Sequence, residues 1–217
     1  MSDLSIAATP GEPLCAWFSA ERQVAGVREQ RFECTSHGDR VSGKLWRPEA
    51  RAEHPLVLAV HELAHAASDP SLEAAARCWA ASGWATAAVD LPLHGERHNA
   101  KLSRRAIAAA GDAGAIASDR ELWRGLVAQS VRDLARALDA LLASDGFDAA
   151  GIASVAFGSS APIARAHANL DARVRCVAAI GTEPASEAES REHAKALSWL
   201  ARPDDLIPFL AAARDRS

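Results

Sequence analysis

Two short runs of alternating apolar and polar residues open the patterned part of the chain. They are Arg31-Phe32-Glu33-Cys34-Thr35 and Val41-Ser42-Gly43-Lys44-Leu45-Trp46. The turn-rich Ser36-His37-Gly38-Asp39-Arg40 between them predicts a β-hairpin. Pro48 and the charged stretch to His54 predict a loop. Pro55-Leu56-Val57-Leu58-Ala59-Val60 is then continuously apolar, the mark of a strand buried on both faces. Leu72 to Ser82 predicts a helix stopped by Gly83, and Trp84 to Val89 a second buried strand closed by Asp90-Leu91-Pro92.

Residues 99–117 are rich in alanine and glycine and weakly patterned, which predicts a mobile excursion. Ser118 with Glu121 forms a capping box. It opens a helix along which Leu122, Leu126, Val127, Val131, Leu134, Leu138, Leu141 and Leu142 recur, reaching about Ser144. The apolar run Gly151 to Phe157 enters a helical stretch, Ile163 to Ala168, through Gly158-Ser159-Ser160-Ala161-Pro162. A strand over Val174 to Ile180, a linker with Pro184, a strand over Ala196 to Leu200 and a short helix over Phe209 to Arg214 complete the series. Strands alternating with helices predict an α/β fold with a mostly parallel sheet and helices on both faces. The N-terminal β-hairpin adds antiparallel strands at one edge. Residues 1–27 are expected to form an N-terminal extension and residues 28–217 a single domain. Ligands in such sheets sit at the carboxyl ends of the strands. Those ends are His61, Asp90 to Glu96, Gly158 to Ser160, Gly181 to Glu183, and Asp204.

Composition narrows the function classes. A hydrophobic content of 49% with 24% charged residues suits a globular protein with a real core. A net charge of -4 without a basic stripe argues against nucleic acid. Cys15, Cys34, Cys78 and Cys176 are widely spaced, as expected of reduced thiols and not of a zinc ribbon or a disulfide framework. The first residues show no signal peptide, and no apolar run nears the roughly 20 residues that span a bilayer. A cytoplasmic protein with no membrane partner and no cofactor is expected.

The turn after Phe157 has the layout of a nucleophile elbow, an apolar strand entering a helix through small residues. The residues two before and two after the apex must be small. Centring on Gly158 places Ala156 and Ser160 there, which fits; centring on Ser159 brings in Phe157, which clashes. Centring on Ser160 places Gly158 and Pro162 there and shortens the following helix. The best register therefore carries no side-chain oxygen, and Ser159 or Ser160 becomes the nucleophile only if the turn slips.

Four segments in order resemble the α/β-hydrolases of the dienelactone-hydrolase-like group, over roughly residues 28–210. They are PLVLAVH at 55–61, VDLPLHGER at 89–97, AFGSSA at 156–161 and RPDDLIP at 202–208. The resemblance implies cleavage of a carboxylic ester or lactone through a serine acyl-enzyme, with an ester-like small molecule as ligand. It places the family nucleophile on Gly158 and the triad acid on Asp204, with Asp205 as a near alternative. The oxyanion loop begins at His61, but Glu62-Leu63-Ala64 replace the family's glycines, and His94 lies in the second segment. No histidine follows His193, so the triad base is unaccounted for and the sheet's last strand is expected to be missing. An exposed final edge adds a homodimer to the expected partners. A triad works as a unit, so activity is expected to be weak, rearranged or lost, with a non-catalytic binding protein as the alternative.

His61-Glu62-Leu63-Ala64-His65 also spells H-E-x-x-H. On a helix it would place two imidazoles on one face to hold zinc, with His94, Glu73 or Glu96 as third ligand. That alternative, a zinc protease, requires the segment to be helical. The strand reading of Leu56 to Val60 opposes it.

Overall fold

The computed structural model describes residues 11–50, 52–110, 119–181, 196–200, 206 and 208. β1 (Trp17–Phe18) and β2 (Arg22–Val24) both pair with β3 (Val27–Ser36). β3 and β4 (Asp39–Pro48) form the expected hairpin, turning at His37-Gly38. β5 (His54–Val60), α1 (Pro70–Ala81) and β6 (Ala85–Val89) follow. Next come α2 (Ala100–Ala110), α3 (Arg120–Leu142), β7 (Phe147–Phe157), α4 (Ala161–Leu170), β8 (Cys176–Ile180) and β9 (Ala196–Leu200).

The sheet runs β1-β3-β4-β6-β5-β7-β8-β9. The N-terminal strands and the β4–β6 pair are antiparallel, and every pair from β6–β5 to β8–β9 is parallel. The packing of β5 explains why its sequence is apolar from Leu56 to Val60. Leu56, Leu58 and Val60 join one core layer with Leu134 and Leu138 of α3 and Ile163 of α4. Val57 and Ala59 belong to the opposite layer, with Leu72, Ala76 and Trp79 of α1. Both faces are covered from Leu56 to Val60, and that stretch is apolar without a break.

α1 starts where Asp69 accepts hydrogen bonds from the Ser71 and Leu72 amides, and Pro70 fits because its missing N–H falls among the helix's unpaired donors. The mobile excursion expected over 99–117 is corrected across its first half, where α2 stands. The Asn99 side chain caps it by accepting from the Lys101 and Leu102 amides, and Ala106 is buried in the core. Alanine favours a helix without supplying a periodic apolar signal. The capping box fares differently: Ser118 lies outside the described residues. Asp119 stands at the N-terminus of α3 without a capping bond and pairs instead with Arg105 of α2. The loop expected up to His54 ends one residue early, since His54 already belongs to β5. The short helix expected over Phe209 to Arg214 lies outside the described residues. Among them, no helix is long and apolar enough to cross a membrane.

Candidate active-site crevice

β5 and β7 are neighbours, in register Val60↔Ala156, so their carboxyl ends open side by side. β7 leads through a single 3-10 turn, Gly158–Ser160, into α4. Gly158 sits at φ +53°, the left-handed conformation that an elbow apex needs and that side chains resist. A Cβ added there would fall onto the Glu62 carboxylate, whose Cγ is only 3.0 Å away. The apex position is thus filled from the β5 loop.

The two serines beside it differ. Ser160 is fully buried, its hydroxyl within hydrogen-bond reach of the Val60 carbonyl at 3.0 Å and the Phe157 carbonyl at 2.8 Å. That hydroxyl ties the end of β5 to the end of β7. Ser159 is half-buried on the turn itself. Asp204 and Asp205, expected as the triad acid, lie outside the described residues.

His61 is 1% exposed. Its Nε2 accepts from the Leu91 amide at 3.1 Å, which leaves the proton on Nδ1, and Nδ1 donates to the Glu62 carbonyl at 2.8 Å. Burial lowers its pKa to about 4, against a smaller upward pull from that carbonyl. It is a neutral strut between the β5 and β6 loops. His94 packs beside it, ring centroids 5.4 Å apart, and donates from Nδ1 to the Pro92 carbonyl at 2.8 Å. Burial lowers its pKa too.

The helical H-E-x-x-H alternative is corrected here. Leu56 to Val60 is strand, the residues after it form no helix, and Ala64 has φ +82°. Both nitrogens of His61 are engaged, while His65 is exposed and pairs with Asp69 at 2.6 Å. Of the third ligands considered, Glu73 pairs with Lys44 and Arg77 and Glu96 with Arg31, while His94 is buried with Nδ1 on the Pro92 carbonyl. No group of three His, Cys, Asp or Glu among the described residues could hold a metal ion.

Asp90 organises the floor of the neighbouring loop. Its carboxylate accepts from the Ala67 amide at 2.8 Å, the Glu96 amide at 3.1 Å and the Ser42 hydroxyl at 3.3 Å. Sequence reasoning placed Asp90 at a strand end without seeing this. It likewise named Glu62 as an oxyanion-loop residue and, in the zinc alternative, as the water-activating glutamate, without seeing that it fills the apex. One available signal was a long acidic side chain where the resembled family has glycine. Glu62, His61, His65, Asp69, Ser71, Leu72 and Phe157 line a cavity of about 40 Å³ beside the elbow.

A mostly parallel sheet in this strand order, with an elbow at the end of a central strand, defines the α/β-hydrolase fold. Solved structures agree. A cold-adapted esterase from an Arctic intertidal metagenomic library superposes with a TM-score of 0.60 at 22% identity, over 74% of this chain and 63% of its own. The acetyl xylan esterase from Paenibacillus sp. R4 gives 0.60 at 18% identity, over 86% and 60%. Acetyl xylan esterase 1 from Thermoanaerobacterium sp. JW/SL YS485 gives 0.59 at 16%, over 86% and 58%. The chain therefore spans about three-fifths of the length of these structures. No family model matches the sequence, and no curated protein matches it either.

Proposed function

We propose that this chain is a hydrolase-fold protein that receives an ester-like small molecule at the strand ends and forms no serine acyl-enzyme there. The observation that carries the reading is the apex. Gly158 has the backbone of a nucleophile and no side chain, and the space a nucleophile would use holds the Glu62 carboxylate. Ser160 supports it from the other side, since its hydroxyl is buried against two carbonyls and faces no open space. A serine hydroxyl also needs an imidazole to take its proton. His61, at the end of β5, has both nitrogens bound and cannot serve, whereas His65 and His94 each use only Nδ1, on Asp69 and on the Pro92 carbonyl.

A second reading, a slow serine esterase built on Ser159, draws on that residue's half-exposed place on the turn. A fluorophosphonate probe separates the two. The expected result is no covalent labelling of the full chain. Stoichiometric labelling that disappears in Ser159→Ala would remove the proposal in favour of the second reading.

A further inference from the structure

The apex of the elbow is not without an oxygen; the oxygen belongs to a different residue. Glu62 leaves the end of β5 and lays its carboxylate where the side chain of residue 158 would stand. Two departures from a serine site then become one arrangement: glycine at the apex and an acidic residue in the oxyanion loop. A hydroxyl must lose a proton before it attacks, whereas a carboxylate is an ionised base in neutral water. The Glu62 side chain is exposed and makes no hydrogen bond or ion pair with the described residues, so its lone pairs are open to solvent. The 3-10 turn adds a donor. The first amides of a helical turn have no partner within it, and the amide of Ser159 directly follows the apex. In an elbow that amide faces the charge developing on a substrate carbonyl.

We propose that Glu62 is the general base of this crevice, activating a water molecule for direct attack on a small carboxylic ester. The step balances without any further reagent. The water oxygen bonds to the acyl carbon as its proton passes to the Glu62 carboxylate. The bond from acyl carbon to alkoxy oxygen then breaks, and the departing alkoxide takes the proton back from Glu62. Acid and alcohol leave, and the carboxylate is regenerated. No bond forms between protein and substrate. The inference rests on the reading that the elbow makes no acyl-enzyme, and it goes beyond that reading by giving the site a reaction.

The test is hydrolysis of 4-nitrophenyl acetate by the full chain. Turnover above the buffer rate is expected, linear from the first seconds and unchanged after fluorophosphonate treatment. Glu62→Gln is expected to lower the protein-dependent rate about 100-fold, the lower range for a positioned general base. Glu62→Asp, which keeps the carboxylate but withdraws it by one methylene, should fall between. Glu62 is exposed and has no hydrogen bond or ion pair with the described residues, so folding of these variants is not at stake, and matching circular dichroism spectra would document it. A Glu62→Gln rate equal to wild type, or no turnover in the wild type, overturns Glu62 as base and leaves the absence of an acyl-enzyme standing. A burst equal to the protein concentration, abolished with covalent labelling by the fluorophosphonate, overturns both.

Discussion

Two loops at the same end of the sheet solve the same local problem with opposite consequences. In the loop after β6, Gly95 has φ +53°, and a Cβ there would collide with the Asp90 carboxylate. In the elbow after β7, Gly158 also has φ +53°, and its Cβ would collide with the Glu62 carboxylate. Each glycine admits an acid into the space a side chain would take. Asp90 is 6% exposed and holds three hydrogen bonds, from Ala67, Glu96 and Ser42. Glu62 is exposed and holds none with the described residues. The first carboxylate is spent on architecture, the second is free for a ligand or a proton. Backbone geometry alone does not separate a structural glycine from a site glycine; the hydrogen-bond account of the filling group does.

The largest effect should come from replacing the two glycines in parallel. Gly95→Ala forces a Cβ against a carboxylate that cannot retreat without stranding two backbone amides. Left-handed strain and overpacking together should cost about 3 kcal/mol or more. Gly158→Ala meets a side chain that can swing into water, so only the backbone strain of about 1–2 kcal/mol should remain. Urea denaturation of both variants measures the difference. Equal losses would mean that Glu62 is as fixed as Asp90, and the contrast would be gone.

The next effect is on pH dependence, because His61 braces one loop against the other. Its folded pKa is lowered by burial to about 4 from an ordinary 6.5. Between those values the unfolded chain binds a proton that the folded chain refuses. Stability from the neutral ring is therefore fully present above about pH 6.5 and is lost as pH falls toward 4, by about 3 kcal/mol at most. Protonating Nε2 would also break its bond to the Leu91 amide. Thermal midpoints from pH 8 to 4 should fall across this window, and His61→Gln, which keeps an acceptor and cannot titrate, should flatten that part of the profile. Parallel profiles for the two proteins would show that His61 is not the group responsible.

How much of this was legible beforehand follows from the range of the interactions. The runs at 56–60, 84–89 and 152–157 announce themselves because strands buried on both faces are mostly apolar, with Thr86 and Ser154 the buried exceptions. β5 and β7 contain their runs and β6 begins one residue in, at Ala85. α2 was hidden because alanine stabilises a helix without marking a face, and its cap, Asn99, stands in a stretch that reads as loop. At the elbow, small residues flanking Gly158 identify the apex, since the need for them is steric and local. What fills the apex is a contact between segments distant in sequence, visible only once β5 and β7 lie side by side. The same limit produced the zinc alternative. Five letters fit a helical motif, while the strand before them and the left-handed Ala64 decide that no helix forms.

The smallest effects test the comparison inside the elbow itself. Ser160→Ala removes a buried hydroxyl that binds the Val60 and Phe157 carbonyls, and should cost about 1 kcal/mol. Glu62→Gln changes an exposed side chain without hydrogen bonds to the described residues and should alter stability by less than about 0.5 kcal/mol. Two polar side chains a few ångströms from one glycine thus divide the work in opposite ways. Ser160 should matter to the urea midpoint, and Glu62 should be silent there while governing what the crevice does to an ester. If instead Glu62→Gln unfolded the protein as readily as Ser160→Ala, its carboxylate would be a strut like that of Asp90. Of the groups at the elbow, Ser159 alone would then be left to the second reading.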